Sequence, residues 1–170
     1  MAETGYTVFY TDAGWMGVLG SAQGVRCVVL PQPTLAHVLK IFGNIEAAAP
    51  EDYRFSELGR RIKAYIGGEK VDFSSEQVDY AAATSFQQDV WNAARTIPYG
   101  ETKSYAWIAS LIGKPGAARP VGQALASNPV PIIVPCHRVL RSDGQEGGFA
   151  GGIPLKKKLL TMESTREGRH

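Results

Sequence analysis

The sequence predicts a chain in two parts: an α+β domain with an antiparallel sheet over residues 1–81, and a mainly helical domain over residues 84–164, followed by a tail over 165–170. Three observations carry this. Short β-prone runs divided by turn residues fill the first thirty positions, helical spacing dominates after Thr84, and the small-residue run Ala81-Ala82-Ala83 lies between the two regions. With 170 residues, 44% hydrophobic and 20% charged, the chain has ordinary globular composition. A chain of this size buries about 70% of its unfolded surface without staples. Disordered and fibrous classes are excluded on composition.

The elements follow in order. Tyr6–Tyr10, Trp15–Leu19 and Val25–Leu30 read as a β-meander, split by Asp12-Ala13-Gly14 and Ala22-Gln23-Gly24 and closed by Pro31 and Pro33. Leu35, Val38, Leu39 and Phe42 recur at helical spacing, with Gly43 as a stop. A second helix is expected from about Tyr53 to Ile66, with Phe55, Leu58, Ile62 and Tyr65 on one face. A strand around Val71–Phe73 or Gln77–Tyr80 is expected to join the sheet.

In the second half, Thr84 and Gln87 have the spacing of a capping box, opening a helix through Phe86, Val90 and Ala94 that should end before Pro98. Ser104 can cap a helix over Tyr105–Ile112 closed by Gly113, and a further helix spans about Ala117–Ala126. Two short helices joined by a tight glycine-containing turn make a helix-turn-helix candidate. The apolar run Pro131-Ile132-Ile133-Val134-Pro135 reads as a short buried strand. A glycine-rich loop over 147–152 precedes a last helix with Pro154 in its first turn.

The net charge of +2 conceals an asymmetry: residues 1–85 carry 7 Lys+Arg against 10 Asp+Glu, and residues 86–170 carry 11 against 6. A basic half beside an acidic one suits contact with an anionic partner such as a nucleic acid. No apolar run approaches the ~20 residues of a membrane helix, and the N-terminal MAETGYTVFY does not read as a secretory signal. Two cysteines, Cys27 and Cys136, are too few for a disulfide framework and fit a reducing cytoplasmic or nuclear setting.

Chemistry concentrates at Pro135-Cys136-His137-Arg138. A cysteine reacts as its thiolate, and basic neighbours favour that form. Cys27, inside an apolar β-prone run, reads as packing, whereas Cys136 between Pro135 and His137 does not. On an extended strand His137 and Cys136 would face opposite ways, so the imidazole would act through a water. A metal site fails on arithmetic, since beyond this pair only Cys27, His37 and His170 remain and none has zinc-type spacing. From the residues alone, Glu163 is a solvated helix-end carboxylate, Asn128 part of an Asn-Pro turn, Tyr105 a helix-start aromatic and Arg119 a surface charge.

The run from Asn128 through Pro135-Cys136-His137-Arg138 to Val139 resembles the active-site signature of the O6-alkylguanine-DNA alkyltransferases. Phe86–Trp91, Ile97–Thr102, Ala117-Ala118-Arg119 with Val121-Gly122, and the glycine loop with its closing helix agree with that family. The match covers residues 84–164 strongly, and the first half only by architecture and strand pattern. The resemblance implies a ribonuclease-H-like first domain and a winged-helix-like second one. The implied activity is stoichiometric, irreversible transfer of the alkyl group from O6-alkylguanine in double-stranded DNA, with O4-alkylthymine left open.

It further implies Cys136 as acceptor, His137 as base, Glu163 as the carboxylate that orients it, Asn128 as the brace of the active-site segment, and Tyr105 as proton donor to the leaving base. Arg119 would fill the stack vacated by a flipped nucleotide. Ala118 and Gly122 would let the recognition helix approach the minor groove closely. Pro131 and Phe149 would wall the pocket, while the backbones of Val139 and Ala150 would contact the base. No cofactor and no metal are implied, nor any membrane; a cytoplasmic, nucleoid-associated monomer (nuclear in a eukaryote) is, with cooperativity on DNA left open. Pro120, Phe149 and Ala150 depart from the family's expected alanine, tyrosine and serine, which bears on substrate range. Three other classes compete: a non-catalytic lesion binder, a plain helix-turn-helix regulator and a cysteine hydrolase. The first is disfavoured because Cys136 and a first domain are both present.

Overall fold

The structure is a computed structural model that describes residues 4–80, 82–143, 149 and 152–167. The chain divides into two compact units, Met1–Asp79 and Tyr80–His170.

In the first unit, strands β1 (Thr4–Thr11), β2 (Gly14–Ser21) and β3 (Gly24–Gln32) form an antiparallel sheet in the order β1-β2-β3. Thr7 pairs with Val18, and Val18 with Val28. Helix α1 (Leu35–Phe42) is capped by Thr34, whose side chain accepts from the His37 amide, and ends at Gly43. Helix α2 (Tyr53–Ile66) is capped by Asp52 and buries Phe55, Leu58, Ile62 and Tyr65. Each such side chain contributes about 1.5–3 kcal/mol by leaving water. Close approach to β2 is possible because it lacks side chains where the helices press. A Cβ on Gly17 would lie 2.5 Å from the Phe42 ring, and one on Gly20 would lie 2.4 Å from that of Phe55.

The strand expected near Val71–Phe73 or Gln77–Tyr80 does not form. Val78 makes one isolated parallel bridge to Val25, with the Val25 amide donating to the Gln77 carbonyl and the Asp79 amide to the Val25 carbonyl. Val71–Phe73 remains irregular, with Phe73 buried edge-on against Tyr65. The apolar residues there are needed for packing and not for a ladder.

The second unit opens with α3 (Ser85–Ala94), whose Thr84/Gln87 capping box is complete. Trp91 of α3 is buried and its indole N–H donates to the Ala124 carbonyl at 2.8 Å. This bond ties α3 to α5 (Ala118–Ala126). Helix α4 (Tyr105–Leu111) starts at Ser104, which accepts from the Trp107 amide. Gly113, at φ +80, turns the chain toward α5. Helices α4 and α5 pack on each other and on α3. Pro120 occupies the first turn of α5, where no intrahelical N–H is required, and regular bonding begins with the Val121 amide donating to the Ala117 carbonyl.

A parallel pair of two-residue strands, β4 (Lys103–Ser104) and β5 (Val139–Leu140), joins the start of α4 to the residues just after Cys136. No sequence signal announces a pair this short. Helix α6 (Ile153–Glu167) closes the unit and extends through half of the expected 165–170 tail. The expectations for Ala81, Ala150, most of the 147–152 loop and residues 168–170 fall outside the described residues.

Candidate active site

Residues 131–135 do not form the expected strand. Pro131 bridges Val134 while Ile132 and Ile133 turn between them, and the Val134 amide donates to the Val130 carbonyl at 3.0 Å. Ile132 adopts φ +78, a region that a β-branched residue enters only under constraint. Pro135 follows at φ −79, ψ 64, and the Cys136 amide donates to the Val134 carbonyl at 2.7 Å, which is an inverse γ-turn. Cys136–Arg138 then form a single 3-10 turn. Flanking prolines restrict the chain, but two in five residues force it out of an extended ladder.

Asn128 holds this knot. Its side-chain oxygen accepts from the Val130 amide at 2.9 Å and its side-chain NH2 donates to the Val134 carbonyl at 3.1 Å. It is buried, and its side chain counters the effect of burial on the Cys136 thiol. One side chain therefore fixes both ends of the turn.

Glu163 lies on α6 and is not a solvated helix-end carboxylate: it is 1% exposed. His137 Nε2 sits 2.7 Å from its Oε2, Arg138 Nε donates to Oε1 at 2.8 Å, Arg138 Nη2 to Oε2 at 3.1 Å, and the Gly100 amide to Oε1 at 3.4 Å. Arg138 is itself held by the Ile97 carbonyl, 2.8 Å from Nη1. Burial raises the Glu163 carboxyl, yet the bonds from His137 and Arg138 outweigh it and hold the group down at about 2. His137 is pushed below its ordinary value, first by burial and then by the charges of Arg138 and Lys156, against the pull of Glu163. The ring is therefore neutral, donates Nε2–H to Glu163, and has Nδ1 as its basic atom.

Burial pushes the Cys136 thiol up, opposed by the Asn128 bond, the charge of Lys156 and nearby backbone amides. Burial thus favours a thiol beside a neutral imidazole, while the charges and donors around Cys136 favour the thiolate. Cys27, by contrast, is pushed up to about 11 by burial alone and stands in a β-strand. Tyr105, at the start of α4, is half-buried. Burial raises its hydroxyl, a thiolate at Cys136 would raise it further, and the charge of Arg141 lowers it. A Cβ on Gly122 would lie 3.9 Å from the Tyr105 ring.

Arg119 sits exposed in the first turn of α5, beside partly buried Ala118. Pro131 and Val139 are buried. The Phe149 ring meets that of His137 edge-on, with centroids 6.5 Å apart. The Val139 carbonyl accepts from Lys156 Nζ at 2.9 Å. Among the described residues, no group of three or more His, Cys, Asp or Glu side chains is placed to hold a metal ion.

Comparison with known proteins is then decisive. Residues 85–165 match the family described as 6-O-methylguanine DNA methyltransferase, DNA binding domain. A methylated-DNA–protein-cysteine methyltransferase of Methanosarcina acetivorans is 45% identical across 94% of this chain and 98% of its own. That of Mycobacterium leprae is 50% identical over 67% of this chain and 68% of its own. The crystal structure of Mycobacterium tuberculosis OGT in complex with DNA superposes with a TM-score of 0.77 at 39% identity, covering 95% of this chain and 93% of that one. The chain belongs to the methylated-DNA–protein-cysteine methyltransferase family.

The structure joins His137 to Glu163 and places Asn128 across the turn that leads into Cys136. Two residues here were not singled out by sequence reasoning. Arg138 looked like a basic neighbour of the cysteine, and only the structure shows its guanidinium on Glu163. Lys156 sat in a Lys156-Lys157-Lys158 run that reads as solvated, yet it is fully buried. A signal existed: Lys156, Leu159 and Glu163 follow i, i+3, i+7 spacing, and these three make the buried stripe of α6. Leu155 and Met162, also on α6, are only partly buried.

Proposed function

We propose that this protein performs direct-reversal DNA repair, moving the alkyl group from O6-alkylguanine in duplex DNA to Cys136, once per molecule. The observation that carries the reading is the buried array in which Cys136 directly precedes a His137 oriented by Glu163, with Asn128 bracing the turn before the cysteine. A soft thiolate suits displacement at an alkyl carbon. The thiol proton passes through a water to Nδ1 of His137 as sulfur attacks. The S–C bond forms as the C–O6 bond breaks, and the electron pair stays on the purine. The proton lost by the thiol is made good on the guanine ring, with the Tyr105 hydroxyl as the immediate donor. Thiol plus O6-alkylguanine becomes thioether plus guanine, so no cofactor is required. A thioether has no hydrolytic exit, which makes the protein its own consumed reagent.

Duplex DNA hides O6, so the nucleotide must flip at a cost of a few kcal/mol. Exposed Arg119 would occupy the gap, and Ala118 and Gly122 would keep α5 thin enough for the minor groove. Pro131, Phe149 and the backbones of Val139 and Ala150 would line the pocket for the extruded base. The domain reading stays at 1–81 and 84–164, ribonuclease-H-like and winged-helix-like respectively. The basic surplus of the second half suits the DNA face. Among the described residues no helix is long and apolar enough to cross a membrane. A cytoplasmic, nucleoid-associated monomer is the reading that goes with this activity. Titrating protein with labelled O6-methylguanine duplex tests it. Transfer should stop at one equivalent per protein; repeated turnover would support the cysteine hydrolase instead.

A further inference from the structure

The strands β4 and β5 pair in parallel, Lys103 beside Val139 and Ser104 beside Leu140. Both run the same way, so the residues that leave the pair together are Tyr105 and Arg141. The register therefore delivers a guanidinium to the start of α4. There Ser104 caps the helix by accepting from the Trp107 amide, which fixes the turn that carries Tyr105. Arg141 is exposed, and its Nη2 lies 3.3 Å from Oδ2 of Asp143, also exposed. A solvated pair of this kind moderates the charge of the arginine without cancelling it. The remaining surroundings of Tyr105 supply no such charge. Gly122 approaches its ring from α5, and the Lys103 ammonium lies over the Trp107 ring, 5.2 Å from the centroid. Cys136 comes from the 3-10 turn, and its thiolate opposes ionisation of the phenol. Among the described residues, Arg141 is the cation that favours it.

We propose that Arg141 is a positioning residue for proton delivery: held beside Tyr105 by the β4–β5 register, its charge stabilises the phenolate that forms when Tyr105 gives its proton to the leaving guanine. The inference rests on the alkyl-transfer reading for its purpose. In this step the Tyr105 O–H bond breaks and an N–H bond forms on the purine, which holds the electron pair of the broken C–O6 bond. Negative charge that began on sulfur thus reaches the phenol oxygen. It is discharged when the proton first taken from the thiol returns through water. The two neighbours set the order of events. While sulfur is anionic it keeps the proton on Tyr105; once sulfur is a neutral thioether, that opposition ends and the guanidinium, charged throughout, remains. Donation therefore follows attack.

The test reads the titration of residue 105 without DNA, by fluorine NMR of the full-length protein carrying 3-fluorotyrosine, whose hydroxyl ionises closer to neutrality than that of tyrosine. Y105F assigns the signal by its absence. R141Q removes the charge and R141K restores it, and both alter an exposed side chain, so the fold is kept. At low salt the midpoint should rise by about 0.3–0.5 pH unit in R141Q, stay near wild type in R141K, and the difference should shrink as salt is added. Single-turnover transfer from O6-methylguanine duplex and from free O6-benzylguanine should slow in R141Q by the same factor, about two, since both need the phenol proton. An R141Q titration that overlays wild type, or an R141K titration as displaced as R141Q, overturns the proposal. So does a rate loss confined to duplex, the mark of an arginine that holds a DNA phosphate instead. The titration needs no repair activity. A shifted midpoint with no alkyl transfer in wild type would sink the alkyl-transfer reading and leave the coupling of Arg141 to Tyr105 standing.

Discussion

Replacing Glu163 with glutamine probes the site at its most congested atom pair. Four N–H donors converge on two carboxylate oxygens: His137 Nε2, Arg138 Nε and Nη2, and the Gly100 amide. Glutamine offers one acceptor oxygen and an NH2 group. In either orientation the buried guanidinium loses its counter-charge, and turned one way the NH2 opposes Arg138 Nε and the Gly100 amide. Turned the other way, it faces His137 Nε2 and forces that nitrogen to become the acceptor, so the proton moves to Nδ1, the atom needed as base. Breaking a buried pair by removing one partner costs about 3–5 kcal/mol. Loss of a correctly oriented base costs about 10²–10⁴-fold in rate. Urea unfolding and single-turnover methyl transfer from O6-methylguanine duplex measure the two effects. An E163Q protein within 1 kcal/mol of wild-type stability (about the noise of such a comparison) and within a few-fold of its rate would refute the reasoning.

Three further expectations follow from the same geometry. Glu163 has its carboxyl lowered from 4.5 to about 2 and lies fully buried, so the folded state binds its proton less readily than the unfolded one. Its stabilisation is complete above the unfolded value and is lost as pH falls from about 4.5 through about 2. Burial of neutral His137 acts in the same direction from its ordinary value of 6.5 downward. About 3 kcal/mol should vanish in the lower window, read by urea midpoints across pH, and E163Q should flatten the loss there. In Asn128→Ala the Val130 amide loses its acceptor, costing about 1–3 kcal/mol with slower transfer; an unchanged melt would contradict the bracing role. Arg119→Ala should leave stability within about 0.5 kcal/mol, because the residue is exposed. Transfer from duplex should fall by about tenfold or more while transfer from free O6-alkylguanine base holds, since only the duplex must be opened.

Much of the architecture was legible because it is written in local signals. Turn residues divide the meander, Thr84 and Gln87 cap each other, and Phe55, Leu58, Ile62 and Tyr65 mark the buried face of α2. The readings that failed depended on competition between local and distant partners. Pro131–Pro135 has strand composition, but Asn128 captures both Val130 and Val134, so the segment closes into a turn. Val78 reaches the sheet for a single bridge and no more. At the site, the nucleophile and its histidine were visible as neighbours in sequence. The status of Glu163 was not, because it depends on Arg138 and Gly100 arriving from elsewhere in the chain. Lys156 was hidden for the opposite reason: its two lysine neighbours made it look like surface, and only the α6 stripe it shares with Leu159 and Glu163 turns it inward.

The central claim is that Cys136 is the alkyl acceptor, and peptide mass spectrometry after incubation with O6-methylguanine duplex tests it most directly. The Cys136 peptide should gain the mass of one CH2 group in near-quantitative yield, the Cys27 peptide should gain nothing, and Cys136→Ala should leave the lesion in the DNA. Lesion loss without modification of Cys136, or a gain on Cys27 that persists in Cys136→Ala, would contradict the account.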